Sequence, residues 1–381
     1  MRLVFLTING DAWGGSEVLW VKTAKLALEE GHDVLVSMFD FEKLPEPIEE
    51  LRRMGAEFYF RRKFYPALPE RVRKKMRNKL LPEGKKTTYH DYILNYKADR
   101  VLFNLGGGDE IARDEHDLLL FVKQTNIKYS VFCHSISLVP DTDAKLNKHM
   151  RLSFEMAEKV FFTSKMQVEM LRHQLMYDLS NAVVSTHPVN IEKPGYIEFP
   201  ETSVPHFALV GALTIRYKGQ DIALKAFSGE AWKDRDFVVN VYGAGSDESF
   251  LKQLVNYYGL EDKVRFCGYG VKMEQVWKDN QIMLLPSRQD SGPITLFEAM
   301  CCGRPVVGTR MGAIPDYVEN GVNGLVCEPH SYSSFADALE AAWQQKDKWE
   351  EWGKASWRMI NERYDFHPEQ TMLKHLTGEL N

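Results

Sequence analysis

Short apolar runs alternate with helix-length amphipathic stretches along this chain, and the alternation stops once and restarts. Residues 3–7 are an apolar run followed by Gly14-Gly15. Residues 17–30 then carry helical periodicity and end at Gly31, a residue suited to a left-handed C-cap. Residues 34–38, 101–105, 128–133 and 160–163 are further β-rich runs with helical stretches between them. Strands separated by helices predict βαβ units and a mainly parallel sheet. Residues 191–206 interrupt the rhythm with three prolines, Gly195 and no periodicity, the composition of a linker. The rhythm then resumes with strand-like runs at 207–210, 237–242, 264–266, 282–285, 305–308 and 324–326, and helices at 248–259 and 295–302.

The expected fold class is therefore α/β, with two Rossmann-like doubly wound domains in tandem. The domains expected are residues 1–190, a linker over 191–206, and residues 207–365. Ligands in such sheets bind beyond the carboxyl ends of the strands. Two such edges facing one another would form a cleft, a common ligand site. A length of 381 residues suits two domains and needs no disulfide or metal staple. No run of about 18 apolar residues occurs, so no transmembrane helix is expected. The first apolar run is too short for a signal peptide. Cys133, Cys267, Cys301, Cys302 and Cys327 are odd in number and lack CxxC spacing, which points to buried free thiols in a reducing cytoplasm.

The net charge of −5 is a sum over unlike parts. Residues 1–195 total +2 and the remainder −7, while residues 61–86 hold 11 basic and 2 acidic side chains. Within that segment Leu68, Val72, Met76 and Leu80 recur every four residues beside Arg71, Arg73, Lys74, Lys75 and Arg77. A basic helix with one apolar stripe is expected there. Such a helix binds an anionic membrane surface or a polyanionic acceptor, or it packs its stripe on its own domain. Nucleic acid is not an expected partner, because no recognised binding motif is present and the pI is about 6.2.

Three βα turns are candidate phosphate sites. Gly14-Gly15-Ser16-Glu17 would let a ligand approach the backbone at a helix N-terminus, or would be a turn capped by Ser16. Asp290-Ser291-Gly292-Pro293-Ile294-Thr295-Leu296-Phe297-Glu298 opens a helix with Pro293 in its first turn. The amides of Ile294 and Thr295 would then lie at the positive end of the helix dipole, where a diphosphate fits. Asp290 and Glu298 frame the turn, either as hydroxyl-binding carboxylates or as a cap and a surface acid. Arg216 and Lys218 lie in the loop after the first strand of the second domain, where they would neutralise a leaving diphosphate or be ordinary surface charge.

Together these motifs resemble the large retaining glycosyltransferase family 4, glycosyl transferases group 1, of GT-B fold. The resemblance is strongest over residues 207–344. It rests on Asp290 to Val307, followed and preceded in order by Lys218-Gly219, Tyr242-Gly243-Ala244-Gly245, Val264-Arg265-Phe266-Cys267-Gly268 and Asn320-Gly321-Val322-Asn323-Gly324. It implies that Glu298 holds the ribose hydroxyls and that Asp290 contacts the donor sugar. Gly292, Pro293, Ile294 and Thr295 would supply the backbone turn against sugar and phosphate, with Lys218 and Arg216 facing the diphosphate. Gly15 and Ser16 would approach the phosphate from the first domain, and His134 would face the donor sugar and acceptor. The final helix, residues 366–381, would return to the first domain.

The family pattern departs at Asp290, one methylene shorter than the usual glutamate, at Ala212, at Gly292 and at His187-Pro188-Val189-Asn190. The resemblance implies transfer from a UDP- or GDP-sugar to a hydroxyl of a glycan or lipid-linked acceptor, with retention and with no cofactor or catalytic metal. Asp141-Thr142-Asp143 spells the DxD motif that binds a divalent cation in another glycosyltransferase fold, in a chain with 53 acids. The expected location is cytoplasmic, at the inner face of the membrane if the basic segment contacts it. A nucleotide-sugar epimerase and a non-catalytic sugar-binding protein are the rival readings.

Overall fold

The computed structural model describes residues 1–61, 90–110, 116–191 and 195–380. Arg71, Arg73, Lys74, Lys75 and Arg77 of the basic segment lie outside them. The chain divides into two compact units. The first comprises Met1–Phe162, Val168–Ser185 and His367–Asn381; the second comprises Thr163–Gln167 and Thr186–Phe366.

The first unit is built on strands β1 (Arg2–Thr7), β2 (Asp33–Phe39), β3 (Glu57–Arg61), β4 (Arg100–Gly107), β5 (Tyr129–Ser135), β6 (Val160–Phe162) and β7 (Ala182–Val184). They form one parallel sheet in the order β3-β2-β1-β4-β5-β6-β7. Successive side chains of a strand face opposite sides, and here both sides are core. Leu3 and Phe5 pack with Val34, Val36 and the helix Gly15–Glu29, while Val4 and Leu6 pack with Val101, Phe103 and Val131. Burial on both faces explains why these strands read as continuous apolar runs. The helix Pro368–Thr377 packs its Met372, Leu373 and Leu376 into the first of those layers, against the helix Gly15–Glu29.

The second unit carries β8 (His206–Val210), β9 (Val238–Tyr242), β10 (Val264–Gly268), β11 (Ile282–Leu285), β12 (Val306–Thr309) and β13 (Gly324–Cys327). All are parallel, in the order β10-β9-β8-β11-β12-β13. Its core gathers Phe207, Phe227, Trp232, Phe237 and Trp349 around the start of β8. Both sheets reverse their winding direction once, between β1 and β4 and between β8 and β11. A crevice opens at such a reversal, beyond the carboxyl ends of the two strands.

Among the described residues, no helix is long and apolar enough to cross a membrane. The five cysteines are free thiols, four of them buried and Cys267 partly exposed.

Candidate functional site

The reversal in the second unit brings together two loops that the sequence analysis singled out. The loop after β8 runs into the short helix Ile215–Lys218, and the loop after β11 runs into the helix Ile294–Cys301. Gly219 fixes how closely they approach. Its φ is +62°, and a Cβ there would stand 2.1 Å from the carbonyl oxygen of Pro286. Only glycine meets both conditions. The backbone N–H groups of Arg288 and Gln289 donate to the carbonyl of Tyr217 at 2.8 and 3.0 Å, stitching the loops together.

That seam places Lys218 Nζ 2.6 Å from Asp290 Oδ2. Asp290 also accepts from Ser287 Oγ at 3.3 Å and, through Oδ1, from the N–H of Ser291 at 3.0 Å. A cation and a carboxylate thus stand side by side just before the helix Ile294–Cys301. Pro293 is the N-cap residue of that helix, with Ile294 and Thr295 its first two positions. Their amides precede the first intrahelical donor, so they belong to the anion-binding end of the helix. Gly312 closes the turn from behind: its φ is +52°, and a Cβ would lie 2.3 Å from the carbonyl oxygen of Ser291.

Glu298, one turn further on, is no surface acid; it is 1% exposed. Its Oε1 accepts from the N–H of Asn190 at 3.0 Å. Burial raises its pKa and the Asn190 hydrogen bonds pull the other way. Asn190 belongs to the segment His187-Pro188-Val189-Asn190, so the unusual residues there are built around the ribose-binding candidate. His187 is buried, and its pKa is lowered to about 4 by that burial, against an opposing pull from Asp290. Arg216 is exposed, with its guanidinium over the ring of Tyr217 at 5.6 Å, and pairs with its own neighbour where Lys218 pairs with Asp290.

Arg288 is a site residue that motif reading passes over. It holds Asp221 in a two-pronged pair at 2.5 and 2.8 Å and donates to the carbonyl of Ile215 at 2.8 Å. Tyr332 donates to the same carboxylate at 3.0 Å. This clamp holds the Lys218 loop to the Asp290 loop by side chains as well as by backbone.

In the first unit, Thr7 of β1 stands opposite Asn104 of β4. His134, near the end of β5, lies with Nε2 2.6 Å from Asn104 Oδ1. Ser16 is not the cap of the helix Gly15–Glu29; the N-cap is Gly14, in extended backbone. Ser16 Oγ instead accepts from Asn9 Nδ2 at 3.0 Å, and Gly15 is exposed at the start of the helix. The DxD sequence is engaged in local structure. Asp143 caps the helix Ala144–Glu155, accepting from the N–H groups of Lys145 and Leu146 at 2.8 and 3.1 Å. Asp141 Oδ1 accepts from the N–H of Asp143 at 2.8 Å. Among the described residues, no three His, Cys, Asp or Glu side chains form a metal-sized cluster.

Residues 204–345 match the family model of the glycosyl transferases group 1. The N-acetyl-alpha-D-glucosaminyl L-malate synthase of Bacillus anthracis is 36% identical over 95 residues, 25% of each chain. A D-inositol 3-phosphate glycosyltransferase of Corynebacterium aurimucosum is 32% identical over 141 residues, 35% of this chain and 33% of that one. The alignments thus span about a quarter to a third of these curated relatives. Among solved structures, Anabaena HepE in complex with UDP aligns over 100% of both chains with a TM-score of 0.72 and 17% identity. The lipopolysaccharide outer core galactosyltransferase WaaB in its apo form does so with a TM-score of 0.73 and 16% identity. The fold is GT-B, and residues 204–345 carry the similarity to the glycosyl transferases group 1.

Proposed function

We propose that this chain transfers a glycosyl group from a UDP- or GDP-sugar to a hydroxyl of a glycan or lipid-linked acceptor, with retention of anomeric configuration. The observation that carries the reading is the Lys218–Asp290 pair, 2.6 Å apart at the sheet reversal, directly before the N-terminus of the helix Ile294–Cys301. The difficult step in such a transfer is charge developing on the departing diphosphate. A fixed ammonium and helix amides stabilise that charge without reorganising as it forms. Lys218 and the amides of Ile294 and Thr295 take this role, so no metal is invoked. Arg216 adds a more distant cation. Asp290 positions hydroxyls of the donor sugar, and Glu298 receives the ribose hydroxyls. Of the first unit's residues, Gly15 and Ser16 serve the donor phosphate, and His134 the donor sugar and acceptor. The leaving phosphate takes the proton of the acceptor hydroxyl. Structures similar in fold include HepE with UDP and with UDP-glucose, which favours a uridine donor.

The basic segment around Arg71, Arg73, Lys74, Lys75 and Arg77 would bring the enzyme to an anionic membrane surface, where a lipid-linked acceptor resides. Product analysis tests the activity. UDP- and GDP-sugars are incubated with the protein alone, then with mixed glycan and lipid-linked hydroxyl acceptors. Glycosylated acceptor, formed only in the second incubation, is the expected result. An altered free nucleotide sugar from donor alone would make it an epimerase. Binding without turnover in either incubation would make it a sugar-binding protein.

A further inference from the structure

A carboxylate is buried at the sheet reversal of the first unit, where no motif called for one. Glu17 is 2% exposed, on the first turn of the helix Gly15–Glu29. Neutral donors surround it: Trp20 Nε1 at 2.8 Å and Asn9 Nδ2 at 3.0 Å, with Thr7 Oγ1 at 3.2 Å. Placing an acid in such a site costs stability unless hydrogen bonds replace its water. The donors supply those bonds, and in doing so they give the network a direction.

The direction can be followed atom by atom. An ionised carboxylate only accepts hydrogen bonds, so the hydroxyl proton of Thr7 points at Glu17. The Thr7 oxygen is then an acceptor for Asn104 Nδ2, 3.2 Å away. Asn104 Nδ2 also lies 3.5 Å from Glu17 Oε2, on the same side. The amide of Asn104 therefore turns its nitrogen to Thr7 and Glu17 and its oxygen to His134. Against an oxygen, His134 Nε2 at 2.6 Å must be the donor. Thr7 and Asn104 are 4% and 2% exposed, which keeps water from offering either group a substitute partner.

We infer that Glu17 is a positioning residue that fixes, through Thr7 and Asn104, the Nε2–H tautomer of His134. The neutral ring then carries its lone pair on Nδ1, where it can only accept. A histidine with a fixed tautomer can hold a hydroxyl in a single orientation, and a histidine with two tautomers cannot. The role in transfer rests on the function proposed above, whereas the tautomer does not.

Nitrogen-15 NMR of histidine-labelled protein reads the tautomer directly, at a pH where the ring is neutral. His134→Gln identifies the resonance. The wild-type ring is expected to show a protonated-type shift at Nε2 and an unprotonated-type shift at Nδ1. In Glu17→Gln, and independently in Thr7→Val, the two nitrogens should move toward a mixed pattern. An Nδ1–H ring in the wild type overturns the inference without need of any variant. So does an unchanged pattern in a folded Glu17→Gln or Thr7→Val protein. Once a donor and acceptor are known, Glu17→Gln should lower kcat roughly ten- to a hundredfold, the usual range for groups that orient a functional residue. The same substitution in a His134→Ala background should cost less than threefold. Equal losses in both backgrounds would make Glu17 merely structural. Absence of any transfer would reject the function and leave the NMR result standing.

Discussion

At the scale of single residues, the central fact is that Lys218 and Asp290 hold each other at 2.6 Å. Under the proposed function, a diphosphate entering this turn would bring negative charge to a carboxylate whose side chain is 9% exposed. Lys218 lets the two coexist. Lys218→Ala is therefore expected to lower kcat roughly 10²–10³-fold, the cost of losing one preorganised group at the developing charge. Stability should change by less than about 1 kcal/mol, because the lysine is itself partly exposed and such pairs contribute little. Turnover assays and thermal melts check the two halves, and near-normal turnover would remove Lys218 from the chemistry. Lys218, Asp290 and Glu298 were all legible in the sequence, since each sits at a fixed offset from a turn glycine or a helix start. Arg288 was not. Its partner Asp221 is 67 residues away and Tyr332 is 111 residues from that carboxylate. Read singly, each looks like ordinary surface polarity. Glu17 belongs to a turn whose glycines are visible in the sequence, but its burial depends on Thr7, Asn9, Trp20 and Asn104 folding around it, which local spacing does not encode.

At the scale of elements, the site depends on two loops meeting at one glycine. Gly219→Ala forces a side chain into left-handed backbone, which costs roughly 1–2 kcal/mol. It also drives a methyl into the Pro286 carbonyl 2.1 Å away, so one loop must withdraw from the other. The expected variant is less stable by roughly 2–5 kcal/mol in total, adding local strain of about 1–3 kcal/mol. Its Lys218 no longer meets Asp290, so turnover falls with stability. Urea unfolding and kinetics on the same sample check this, and an alanine variant with normal stability would show that the seam yields freely. Most elements were legible because their strands are buried on both faces and read as unbroken apolar runs. Two edge strands were not. In β3, Glu57, Phe58, Tyr59 and Phe60 alternate in burial, so the run lacks the continuous apolar signature. In β7 only three residues pair, too few to carry any period.

At the scale of the whole molecule, buried titratable groups decide how stability follows pH, and they pull in opposite directions. Burial raises the pKa of Glu17 in the first unit and of Glu298 in the second. The native state holds those protons more tightly than the unfolded chain, so both groups weaken the fold as pH rises above 4.5. His187 does the reverse. Its native pKa is about 4 against 6.5 unfolded, so the unfolded chain binds the proton more tightly. Its contribution is present in full above pH 6.5 and is lost as pH falls toward 4. At about 1.4 kcal/mol per pH unit, the loss between pH 7.5 and pH 4.5 amounts to about 2.5 kcal/mol. The position magnifies the consequence. The hydroxyl of Tyr364 donates to the His187 carbonyl, and Thr186 donates to the carbonyl of Asp365 at 3.3 Å, so protonation strikes where both ends of the second unit are tied. His187→Gln keeps a polar side chain and cannot titrate. The two glutamates are common to both proteins, so their effect cancels in the comparison. Urea unfolding of wild type and variant at pH 7.5 and pH 4.5 should show the wild type losing roughly 2–3 kcal/mol more than the variant. Parallel losses would mean that His187 binds its proton as readily in the folded protein as in the unfolded chain.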